Sequence, residues 1–138
     1  MRGTLCFAGP PGEFISGGRR VALPANTEVE VTQRDAKSLE LSFAGADSWE
    51  LDLSSPDASG IAQRRYTGVQ RYPFQDSGRP GLSLTGSGKA CNDVAGEFTV
   101  TVIQRDATGK LTGLAADFSQ TCDGSPNALR GSVRLGLP

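Results

Sequence analysis

The chain has 138 residues, of which 37% are hydrophobic and 21% charged. That is the size of one domain, too apolar for a disordered chain, and no apolar run is long enough for a membrane-spanning helix. The net charge of −1 lacks the basic excess that nucleic-acid binding draws on, and the absence of histidine removes Ser-His-Asp and Cys-His catalysis and most zinc chemistry.

Period-two alternation runs through the chain and predicts strands. Thr4–Ala8 and Arg20–Leu23 are short candidates, separated by Gly9-Pro10-Pro11-Gly12. Those prolines have no ladder donor and the glycines admit positive φ, so the first strand ends there. Thr27–Thr32 places Val29 and Val31 on one face and Glu28 and Glu30 on the other. Leu39–Phe43 and Trp49–Leu53 repeat the pattern on either side of an Ala44–Asp47 hairpin, which puts Trp49 in the core and Glu40, Glu50 and Asp52 toward solvent. Ser54–Gly60 is a loop whose Pro56 excludes a central strand. Tyr66–Tyr72 and Leu82–Thr85 follow, with a loop at Gln75–Gly81. Phe98–Val102 and Lys110–Phe118 flank an Asp106–Lys110 hairpin, and Gly131–Leu135 closes the series. No window longer than ten residues has helical periodicity. Residues 1–138 therefore read as a single all-β domain, an antiparallel β-sandwich of about ten short strands, with a flattened β-barrel as the alternative. The tetrads Gln33–Ala36 and Gln104–Ala107 are both Gln-Arg-Asp-Ala and read as two similar hairpin tips.

Three cysteines are present. All three can be buried thiols, since free cysteine behaves as a small apolar residue. The sharper reading pairs Cys91 with Cys122, each at a strand-to-turn junction, and leaves Cys6 reduced and buried in Leu5-Cys6-Phe7. A bridge places the protein in an oxidising compartment. Met1-Arg2-Gly3-Thr4 lacks the apolar core of a signal peptide, so the chain is either cytosolic or read without its leader.

Motifs for chemistry are few. Gly86-Ser87-Gly88-Lys89 ends like a phosphate loop, but Ser83 stands where its first glycine belongs and Ala90 where its hydroxyl belongs. Calcium is the one cation with donors to hand: Asp52, Asp57 and Ser59 flank one loop, Asn92 and Asp93 lie in another, and Asp123, Ser125 and Asn127 in a third. No Asp-x-Asp-x-Asp spacing orders them and they are ordinary turn formers, so no cofactor is expected. Nine Asp and six Glu leave room for a two-carboxylate glycan hydrolase. Glu97 and Asp117 are the acids to watch, but no pair is singled out and no enzyme is expected. Trp49, Tyr66, Tyr72 and Phe74 are the candidate aromatic platform. Tyr66 and Tyr72 share a face by parity and sit among Arg64, Arg65, Arg71 and Arg79, the one local concentration of positive charge. That set forms the candidate ligand-binding face, suited to an acidic glycan or a protein carboxylate. The bland alternative is a solvated arginine face.

One further pattern spans most of the chain. It comprises Gly12–Gly18, Arg71-Tyr72-Pro73-Phe74-Gln75, Pro80–Gly88, Ala90-Cys91-Asn92, Gly96-Glu97-Phe98-Thr99-Val100, Leu114-Ala115-Ala116-Asp117-Phe118-Ser119-Gln120-Thr121-Cys122 and Leu129–Arg134. It resembles a group of exported bacterial all-β domains that has no established activity. The resemblance implies an all-β fold, a Cys91–Cys122 bridge and export to the periplasm, cell surface or medium. Phe98, Asp117 and Phe118 then read as structural residues around the bridge, with Asp117 accepting backbone hydrogen bonds. Members of that group often carry histidine just before the second cysteine; here it is Thr121, so a histidine-based function there would be absent. The reading is an exported, non-catalytic bacterial module that binds a glycan or protein partner at the cell envelope. The alternatives are a small carboxylate hydrolase and a structural, assembly or immunity domain.

Overall fold

A computed structural model describes residues 1–138. It contains strands and turns and no helix. The strands are β1 (Arg2–Ala8), β2 (Arg20–Ala22), β3 (Thr27–Thr32), β4 (Ser38–Phe43), β5 (Glu50–Ser54) and β6 (Arg65–Thr67). They continue with β7 (Gln70–Arg71), β8 (Gly81–Thr85), β9 (Val94–Arg105), β10 (Leu111–Cys122) and β11 (Leu129–Leu135). Every strand expected from alternation is present, with the Tyr66–Tyr72 segment divided in two.

The hydrogen-bonded path runs β6-β9-β10-β11-β1-β3-β4-β5-β8-β7, with β2 on the flank of β1. All pairs are antiparallel except β7 with β8. The path bends where β1 meets β3 over only two residue pairs, Arg2 with Glu28 and Gly3 with Thr27. One layer is thus β6-β9-β10-β11-β1 and the other β3-β4-β5-β8-β7. They face each other across one apolar core, the arrangement of a sandwich. The path is open, with β6 and β7 at its two ends, so the flattened barrel gives way. The break has a local cause. Gly68 takes φ +67°, and after it the chain leaves β9 for β8, with Val69 N–H donating to Gly96 C=O at 3.2 Å as its last tie to the first sheet.

The core is built from the inward positions of both layers. Leu5, Phe98, Leu114 and Leu135 come from one layer, and Leu39, Leu41, Leu51, Leu53, Leu82 and Leu84 from the other; all are fully buried. Each such leucine contributes about 2 kcal/mol of transfer free energy. Trp49 meets Phe7 edge-on at 4.8 Å between ring centres, joining the layers. Its benzenoid edge rests on Gly86, where any Cβ would fall 2.2 Å from Cε3, so the turn after β8 requires glycine. Gln120 of β10 makes a second junction. Its buried amide accepts from Leu84 N–H at 2.9 Å and donates to Leu84 C=O at 3.3 Å, so one side chain pairs with β8 as a strand would.

Alternation misplaces a few residues. In the β9–β10 hairpin, Ala115 faces Val102 but Ala116 faces Val100, so Thr101 bulges out. A bulge shifts parity by one, and Val102 leaves the buried face that Phe98 and Val100 hold. Cys6 is not a core thiol: it lies on the outer side of β1, half-buried, level with Ser132 and Ala22. The first Gln-Arg-Asp-Ala segment sits in the turn between β3 and β4, and the second runs from the end of β9 into the turn toward β10. Asp35 accepts from Lys37 N–H, and Asp106 from Thr108 and Lys110 N–H.

Cys91 and Cys122 form a disulfide, closing a loop across a sequence separation of 31. Replacing both by alanine is expected to lower stability by roughly 3–4 kcal/mol, as the loss of loop closure in the unfolded chain predicts. Urea unfolding of the two forms checks it. An equal midpoint would show that the bridge constrains nothing. In unreduced, unfolded protein a thiol assay should find a single thiol, that of Cys6.

Candidate functional site

The arginine–tyrosine set from residue 64 to 79 does not form one face. Tyr66 points inward from β6 and is 1% exposed. Its ring stacks on Phe98 at 4.6 Å and its hydroxyl accepts from Ala62 N–H at 2.9 Å. It is a core residue and cannot touch a ligand, which corrects the expectation from parity. Arg64 lies 4.7 Å over the Tyr66 ring and pairs with Asp57 at 2.9 Å. Arg65 pairs with Glu97 of β9. Exposed pairs add little stability, but they occupy both guanidinium groups.

Beyond Gly68 the chain turns across the outer face of β4 and β5. Tyr72 is half-buried there and donates its hydroxyl to Glu40 Oε2 at 2.8 Å, and Gln75 donates to Ser54 Oγ at 3.4 Å. The Tyr72–Pro73 peptide is cis. Burial, followed by the bond to Glu40, raises the Tyr72 hydroxyl above its ordinary pKa. This cover changes the fate of the outer-face acids. Glu40 and Glu50 remain half-buried, while Asp52 is 6% exposed. Burial first, and then Glu50 and Glu40, push the Asp52 carboxyl up to about 9. Alternation placed Asp52 on the correct side of the sheet, but the β7–β8 loop removes it from water.

The free end of that loop carries Phe74, whose ring is 70% exposed. Phe14, at 49%, is the other exposed large hydrophobic side chain. Arg71 lies 4.9 Å over the Phe74 ring and has no ion pair. Phe74 borders a hollow of about 340 Å³, walled by Gln70, Arg71, Asp76, Asn92 and Asp93. One wall is pinned by Gln70, which accepts from Asp76 N–H at 2.7 Å and donates to Asp76 Oδ2 at 3.2 Å. The other wall is pinned beside the disulfide, where Asp93 N–H donates to Asp123 Oδ1 at 2.7 Å and Asp123 N–H to Asp93 C=O at 3.0 Å. Arg79 lies on the far side of the loop, in a separate hollow of about 310 Å³ with Ser38, Ser54, Tyr72 and Gln75. Of the predicted ligand-binding residues, therefore, Arg71 borders the Phe74 hollow, Tyr72 and Arg79 border its neighbour, and Arg64 and Arg65 stand apart on the β6 edge. Gln70 and Asp76 carry no sequence signal of their own; only the turn that brings them together marks them.

Glu97 and Asp117 share the outer face of β9 and β10 and an open hollow of about 260 Å³ with Arg130. Glu97 is held below the usual carboxylate range, first by its hydrogen bond from Arg65. Asp117 is exposed, opposite Thr99 and Ser132, and accepts no backbone hydrogen bond, contrary to the role the resemblance implied. Of the calcium donors, Asp57 is paired with Arg64 and Asp123 with Asp93 N–H, and no three acidic, cysteine or histidine side chains converge on one point. The largest hollow, about 530 Å³, opens at the β4–β5 hairpin with Glu28, Glu30 and Glu50 around Phe43 and Trp49. No helix is long and apolar enough to cross a membrane. The chain matches no family model, no curated protein and no solved structure.

Proposed function

We propose that the protein is a non-catalytic, exported bacterial module that binds a glycan or surface-protein partner at the cell envelope through the β7–β8 end of the sandwich. The observation that carries this reading is Phe74. In a domain that sinks nearly every large apolar side chain, a ring 70% exposed on a pinned loop, beside a hollow of about 340 Å³, offers a partner a flat apolar surface. Export is supported by the Cys91–Cys122 bridge, which an oxidising compartment sustains, and by the resemblance of the chain to exported domains. A non-catalytic role is supported by the state of Glu97. A glycosidase needs an accessible carboxyl kept protonated beside a second acid. Arg65 holds Glu97 the other way, and the one carboxyl that keeps its proton, Asp52, is 6% exposed and out of a substrate's reach.

Retention of a bacterial envelope fraction, both glycan and protein, on immobilised oxidised protein tests this. Saturable retention is expected, falling about tenfold in Phe74→Ala and unchanged in an Arg64→Ala, Arg65→Ala double variant. No retention at all, or retention indifferent to Phe74, would sink the proposal.

A further inference from the structure

We infer that the hollow beside Phe74 receives a neutral pyranose unit of a glycan, an inference that rests on the binding role proposed above for this end of the protein. A pyranose presents one face of C–H groups and a rim of hydroxyls. Arg71 lies over one face of the Phe74 ring, and the rest of this exposed ring supplies the flat apolar surface for the first. Arg71, Asn92 and Asp93 stand around it and supply planar guanidinium, amide and carboxylate groups for the second, each able to meet two neighbouring hydroxyls, while Gln70, held by Asp76, shapes the wall. The Asn92 amide and the Asp93 carboxylate make no hydrogen bond within the protein, so both are free for a ligand.

Charge selects among sugars. The walls carry one cation, Arg71, and two carboxylates, Asp76 and Asp93. A phosphate or uronate would meet net negative charge, whereas neutral hydroxyls meet donors and acceptors alike. The size of the hollow, about 340 Å³, lies within the usual range for small-ligand sites. A protein partner would need a far wider apolar area or a long strand edge. The structure has one exposed ring here, and β6 and β7 are three and two residues long. Both walls are already fixed, by the Gln70–Asp76 bonds and by the Asp93–Asp123 bonds beside the disulfide. Little ordering remains to be done on binding. The bridge thereby has a role in recognition as well as in stability.

The test is an NMR titration of oxidised, ¹⁵N-labelled protein with cellotetraose, maltotetraose, mannotetraose and the N-acetylglucosamine tetramer. At least one should produce saturable shifts centred on the amides of Gln70, Arg71, Phe74, Asn92 and Asp93, with a Kd on the order of 1 mM or tighter. Phe74→Ala should weaken it about tenfold, and Phe74→Tyr should preserve it. Because Phe74 is exposed, neither variant should change the rest of the spectrum. If no sugar moves these amides while envelope retention still depends on Phe74, the saccharide assignment falls and the binding module stands. If neither is seen, both fall.

Discussion

Asp52→Asn is expected to stabilise the protein at neutral pH and to flatten its stability between about pH 4 and pH 9. Asp52 sits in β5 beneath the β7–β8 loop, with one carboxyl oxygen, Oδ1, lacking any partner. Around it stand Glu50 on its own strand, Glu40 opposite on β4, Ser83 opposite on β8 and the Tyr72 hydroxyl. Arg34 is the one nearby cation, and it is engaged with Glu40. Burial outweighs the rest, and the carboxyl holds its proton to about pH 9 against an ordinary value of 3.8. The folded state therefore keeps a proton that the unfolded chain gives up above about pH 4. The stability tied to that proton is complete below pH 4 and is lost as pH rises toward 9. Each pH unit removes about 1.4 kcal/mol, hence about 4 kcal/mol by pH 7. Asparagine has the same shape and no proton to lose, and its amide donates toward Glu40 or Glu50. A gain of about 2–4 kcal/mol at pH 7 should follow, shrinking to near zero at pH 4. Denaturant unfolding of both proteins at pH 4, 7 and 9 measures it; parallel pH curves would show that Asp52 folds in its charged form.

The same residue marks what a one-dimensional pattern can carry. Alternation in Leu39–Phe43 and Trp49–Leu53 reports which side of a strand is apolar, because one face of each sheet packs on the core while the other meets water. It finds the strands, Trp49 and the buried leucines. It does not report what later crosses the polar face, so Asp52 reads as solvent-facing until the β7–β8 loop lies over it. Nor does it register a bend or bulge. Gly68 ends the parity linking Tyr66 to Tyr72, so that Tyr66 lies in the core and Tyr72 on the outer face, and the bulge at Thr101 takes Val102 off the buried face. Cys6 errs in the opposite direction: its apolar neighbours face inward, and by the same alternation it faces outward. Of the candidate site, Phe74 and Arg71 are legible as an aromatic beside a cation. The hollow is not, because Asn92 and Asp93 reach it from a different turn, through the bridge.

Gln120 is where the greatest destabilisation by a single substitution is expected. Strand ladders satisfy the backbone within each layer, but at the corner where β8 nears β10 no strand is available for Leu84. The Gln120 amide fills that place, with both of its hydrogen bonds buried, and its Nε2 lies 3.6 Å from Cys91 Sγ. Gln120→Ala leaves a buried N–H and a buried C=O unpaired, at about 1–3 kcal/mol each, and opens a cavity. A loss of about 4–5 kcal/mol should result, a large share of the stability of a domain this size. Gln120→Leu separates the causes, since it fills the space and restores neither bond, and it should remain at least about 2 kcal/mol below the parent. Gln120→Glu keeps the acceptor for Leu84 N–H but sets a carboxylate oxygen against Leu84 C=O, so its deficit should narrow as pH falls and the acid is protonated. Urea unfolding of the three variants at pH 5 and pH 7 decides between packing and pairing; a leucine variant as stable as the parent would leave packing alone. Because Gln120 also borders the bridge, the alanine variant should show faster hydrogen exchange at Asn92 and Asp93. The wall of the proposed sugar site would then loosen together with the joint between the sheets.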